Sequence, residues 1–69
     1  MPFYCVNTNA QPNGDHEVHD VGSCNHLPAP RHRVDLGVHP DCRGAVKKAK
    51  ETYTTANGCY YCSPDCNAG

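Results

Sequence analysis

Four residues in this chain have the types and spacing to hold a metal ion. Cys59 and Cys62 form a Cys-x-x-Cys pair in the segment GCYYCSPDC. Two sulfurs at that spacing can bite one tetrahedral ion, with Zn–S bonds of about 2.3 Å. A structural zinc site needs two further ligands, usually from a distant segment. HEVHDVGSC supplies candidates: His19 and Cys24 are separated by Asp20-Val21-Gly22-Ser23, a run able to turn the chain back. His19, Cys24, Cys59 and Cys62 would make a Cys3His site joining a hairpin near the start of the chain to its cysteine-rich tail. His16 is the competing imidazole. Side chains alternate along a strand, so His16 and His19 point to opposite faces, and His19 is preferred as the one nearer Cys24.

The remaining candidates have simpler readings. Cys5 sits inside a β-prone run and reads as a small packed hydrophobe. Cys42 opens a helix on its apolar stripe, where packing is expected, although that position would lower the pKa of an exposed thiol. Cys66 stays open between three roles: replacing a ligand, pairing with Cys42, or remaining free. His26, His32 and His39 fall in loops and read as solvated. Asp15, Glu17 and Asp20 lie near the histidines in a pattern that a hydrolytic metal centre would share, but a solvated hairpin accounts for them. Cys59 and Cys62 also raise a dithiol reading. Thioredoxin-like pairs stand at a helix start within a βαβ pattern, whereas here the pair follows the helix.

A metal suits the composition. The chain has 69 residues, 38% of them apolar, with one Phe, one Met and no Trp. A chain this short buries only about 60% of its unfolded surface, so a staple is expected. Six cysteines supply one. The opening MPFYCVNTNAQPNG lacks the apolar run of a secretory signal, and no stretch is long and apolar enough to span a membrane. These readings predict a cytoplasmic, monomeric protein. Reduced thiols there favour metal ligation over a disulfide framework. The formal net charge of −1 offers little phosphate neutralisation, which disfavours non-specific nucleic-acid binding.

The elements that must position these residues follow from pattern. FYCVNTN and HEVHDV are β-prone runs flanking Asn-Gly, a hairpin signal, with strands expected near Phe3–Thr8 and His16–Val21. GSCNHLPAPRHR reads as loop. RVDLG alternates as a short third strand. In HPDCRGAVKKAKETY, Asp41 can cap a helix, and Cys42, Ala45, Val46, Ala49 and Tyr53 make one apolar stripe. Gly58 suits a left-handed turn after the helix, and a short strand is expected at Tyr60–Tyr61. Tyr53 and one of Tyr60 and Tyr61 are expected in the core. The predicted fold class is α+β: a single small domain spanning residues 1–69, with a hairpin, a short third strand, one helix and a tail held by zinc.

This order of hairpin, His…Cys, NHLPAP, strand RVDLG, helix GAVKKA and terminal Cys-x-x-Cys resembles the small Ada-like metal-binding module found in bacteria. In its short form a His-x-x-x-Cys segment and a Cys-x-x-Cys pair supply the zinc ligands. The resemblance implies Cys24, Cys59 and Cys62 as ligands. It also implies His19, which matches with one extra residue before Cys24. The GDHEVH and GCYYCSPDC blocks are also similar to those of short bacterial proteins with no assigned role. The methyl-acceptor chemistry of the Ada protein is not implied, because the strong basic patch it requires is missing.

The functional expectation is a stand-alone zinc-binding module with a structural metal. Its partner would be another macromolecule, a protein rather than nucleic acid, and not a membrane. The alternative is a thiol-dependent activity, either dithiol exchange or methyl acceptance on a zinc thiolate. No Ser-His-Asp arrangement, carboxylate pair or phosphate-binding glycine loop is evident, so hydrolase and nucleotide chemistry have little support.

Overall fold

β-branched and aromatic residues dominate the first strand, β1 (Phe3–Asn7), which becomes a central strand. It pairs antiparallel with β2 (His16–Asp20), placing Cys5 opposite His19 and Val6 opposite Val18. On its other side it pairs antiparallel with β3 (Arg33–Val38). In the computed structural model, which describes residues 1–68, the sheet order is β3-β1-β2-β4, and β4 (Ala56–Gly58) runs parallel to β2. With α1 (Cys42–Ala49) this gives an α+β fold built on a four-stranded mixed sheet.

Alternation along the strands sends Tyr4, Val6 and Val18 to one face, where they meet Leu36 and the Cys42, Ala45 and Ala49 stripe of α1. Leu36 is skipped in the β1–β3 register, which shifts between Tyr4 and Cys5. The bulge is completed at Gly37, whose φ of 82° a side chain would resist. The opposite face carries Cys5 and His19, both fully or almost fully buried. That second face is where the candidate ligands gather.

Asp41 caps α1 as expected, its carboxylate accepting from the Arg43 backbone N–H at 2.9 Å. The helix stops at Ala49, earlier than the apolar stripe suggested. Tyr53 still docks on the core, because its N–H donates to the Ala49 carbonyl in a final tight turn. The two hairpin strands also end one residue sooner than expected, at Asn7 and Asp20.

Two features of the tail differ from expectation. Tyr60–Tyr61 is a turn, and the unforeseen fourth strand lies just before it at Ala56–Gly58. Gly58 makes no left-handed turn; it lies in that strand, with the Pro64–Cys66 3-10 turn packed onto it. A Cβ at Gly58 would fall 2.6 Å from the Ser63 carbonyl oxygen and 2.7 Å from Cys66 Cβ. Close approach therefore selects glycine here. Cys66 is covalently paired with Cys42, fixing this turn to the start of α1. Of the three roles open to Cys66, disulfide pairing is the one the fold adopts, and Cys42 does more than pack.

Candidate metal centre

Parallel pairing of β2 and β4 does most of the positioning. The register aligns His16 with Ala56, Glu17 with Asn57 and Val18 with Gly58. The ladder continues with the Cys59 N–H donating to the Val18 carbonyl at 2.9 Å. His19 and Cys59 therefore leave the same ends of neighbouring strands. A turn then brings Cys24 back. The Ser23 and Cys24 N–H groups both donate to the Asp20 carbonyl, and the Gly22 N–H donates to Asp20 Oδ1. A second turn, closed by the Ser63 N–H on the Cys59 carbonyl, returns Cys62.

The donor atoms of His19, Cys24, Cys59 and Cys62 all lie within 4.8 Å of one another, in a group that could hold a metal ion. Cys24 Sγ is 3.4 Å from His19 Nδ1 and 3.9 Å from Cys59 Sγ. Cys62 Sγ is 4.0 Å from His19 Nδ1. Standard zinc bonds in a tetrahedron imply S···S edges of about 3.8 Å and S···N edges of about 3.6 Å. The donor set thus fits a tetrahedral ion with little adjustment. All four cysteines outside the disulfide are free thiols, so no S–S bond occupies this space.

Without a cation, the electrostatics keep these sulfurs as thiols. Burial pushes the thiols of Cys24, Cys59 and Cys62 above their ordinary range, since a charge there loses water. Backbone N–H groups work against that rise: His26 donates to Cys24 Sγ at 3.4 Å and Asp20 to Cys62 Sγ at 3.3 Å. The Tyr61 and Cys62 N–H groups pull the Cys59 thiol in the same downward direction. Donors aimed at sulfur favour the anion, and a cation would supply the remaining compensation.

His19 is buried, and burial holds its pKa below the ordinary imidazole range, with Arg33 and His26 adding to the effect. It therefore offers a neutral ring. Nδ1 faces the sulfurs, while Nε2 points away toward Glu17 Oε1 at 3.8 Å. Nε2 is buried with no hydrogen-bond partner among the described residues. A metal on Nδ1 leaves the proton on Nε2, with Glu17 the carboxylate placed to orient it. Glu17 lies in a run that reads as solvated hairpin; strand alternation places it on the His19 face, and the fold sets its carboxylate 3.8 Å from Nε2.

The other histidines stay outside the cluster. His16 is on the helix-facing side, its ring stacked on Tyr53 at 4.1 Å and its Nδ1 2.9 Å from the Asn7 carbonyl oxygen. His26 is exposed and stacks on Tyr61 at 4.0 Å. His39 is half-buried, with Nε2 2.7 Å from the Leu36 carbonyl oxygen. Cys5 is fully buried and free. No family model matches the chain, and neither a curated protein nor a solved structure matches it.

Proposed function

We propose that this chain is a zinc-binding module whose metal is structural and whose task is to bind another protein. The convergence of His19, Cys24, Cys59 and Cys62 carries the metal reading. Three sulfurs and one imidazole suit zinc, and four protein donors leave no open position for a substrate. Kinship with the bacterial Ada-like module belongs to this proposal, supported by the order of hairpin, His…Cys, helix and Cys-x-x-Cys. No helix among the described residues is long and apolar enough to cross a membrane; a cytoplasmic setting is part of the proposal.

The interaction role rests on Tyr60 and Tyr61. Both are about two-thirds exposed, at 68% and 66%, so neither belongs to the core as expected for one of them. They meet edge to face at 5.3 Å, and Tyr61 is backed by His26. Rigid exposed tyrosines on a turn are favourable anchors for a protein partner. The formal charge of −1 supports a protein over nucleic acid.

Elemental analysis of the purified protein and three variants tests the metal reading. One zinc per chain is expected in the wild type and in His16→Ala. Cys24→Ser and Cys59→Ser are expected to lose it, because serine is neutral where a thiolate is required. Retention by Cys59→Ser, or loss from a folded His16→Ala, would mean the ligands are misassigned.

A further inference from the structure

The Cys42–Cys66 disulfide stands apart from the metal cluster, in unusual surroundings. Cys42 is the first residue of α1, so its sulfur lies at the positive end of an eight-residue helix. Cys42 is buried, whereas Cys66 is half-buried. Cys66 also lines a surface groove of about 410 Å³ together with Arg43, Val46, Lys47, Lys50 and Asp65. Arg43, Lys47 and Lys50 are spaced four and three apart and so share one helix face. Arg43 pairs with Asp41 at 3.5 Å, an exposed contact of little strength. Lys47 and Lys50 enter no ion pair among the described residues. Three cations against Asp65 make the groove positive on a chain of net charge −1.

We propose that Cys42–Cys66 is a thiol-exchange site for a small thiol bearing carboxylates. The groove cations draw in the carboxylates and raise the local concentration of such a molecule. After losing its proton to solvent, the incoming thiolate attacks Cys66 Sγ. The protein S–S bond breaks, its electron pair passes to Cys42 Sγ, and a new S–S bond joins the small molecule to Cys66. Cys42 is the leaving sulfur because Cys66 is the half-buried one that lines the groove and can be reached, whereas Cys42 is buried behind it at the helix N-terminus. A second small thiolate then attacks the small-molecule sulfur, and the bond to Cys66 Sγ breaks; a symmetric disulfide leaves, and the Cys66 and Cys42 thiolates take protons from solvent. The two small thiols are oxidised and the protein pair is reduced by two electrons. None of this requires a metal at the neighbouring cluster.

Glutathione, net −1, and its diethyl ester, net +1, provide probes with the same thiol and opposite charge. The zinc content of the protein is measured alongside, so failure of the metal reading would be seen separately. The native disulfide-bonded protein is mixed with each probe, quenched with iodoacetamide and mapped by mass spectrometry. We expect glutathione on Cys66 and the alkyl group on Cys42. At low salt the anionic probe should react at least about tenfold faster per thiolate, an advantage that collapses in about 0.5 M salt. Lys47→Glu with Lys50→Glu should reverse the preference. Equal rates for the two probes, first attachment at Cys42, or absence of the disulfide from the purified protein would each overturn the proposal.

Discussion

At His19, one ring nitrogen faces three sulfurs and the other faces a carboxylate. Burial moves the groups in opposite directions, thiols up and imidazole down. At neutral pH the metal-free site therefore holds three thiol protons and a neutral ring. Binding must expel the three protons and none from His19. The logarithm of zinc affinity should accordingly rise by about three per pH unit between about pH 6.5 and 8, and fall by the same slope on acidification. Competition against a chelator of known pH dependence measures this. A slope near four would mean that His19 starts protonated, and a slope near two would remove one cysteine. The sequence makes this cluster readable because ligand spacing is local chemistry. Cys66 is not readable in that way: whether it pairs with Cys42 depends on how two distant turns approach, which spacing alone leaves open.

At the scale of elements, the hairpin, the third strand and the capped helix are legible because alternation, Asn-Gly and Asp41 are local signals. β4 is not. Ala56, Asn57 and Gly58 are all residue types depleted in strands, and tertiary pairing with β2 alone makes this stretch one. The tightness around Gly58 gives this element its own test. In Gly58→Ala the new methyl would meet the Ser63 carbonyl oxygen and the Cys66 backbone, neither the free end of a flexible side chain. Overpacking of this kind costs about 1–3 kcal/mol. Thermal unfolding should show a Tm lower by about 5 °C or more, with weakened zinc retention because Cys59 is the next residue. An unchanged Tm would mean that the Pro64–Cys66 turn shifts without resistance.

For the whole molecule, the metal cluster and the disulfide are separate closures of a small core. The expectation set them against each other, metal or disulfide, whereas the fold accommodates both. The core itself is thin: its largest side chains, Tyr4, Val6, Val18 and Leu36, are supported chiefly by alanines. Cross-linking residues 24 apart contributes about 3.5 kcal/mol by chain entropy. A domain of this size has about 3–10 kcal/mol in total. Chelation alone and reduction alone should each lower the Tm, and the two together should abolish cooperative unfolding. Far-UV circular dichroism with amide spectra would follow the loss. A native spectrum after both treatments would show that packing suffices.

Cys5 lies opposite His19 in the β1–β2 register, with no exposed surface and a thiol pushed up to about 11 by burial. Such a sulfur is hidden twice, by the sheet and by its own proton. A reagent in solution meets it only during the moments when β1 comes away from its neighbours. Its slow alkylation would therefore serve as a clock inside the molecule, counting openings of the sheet one chain at a time.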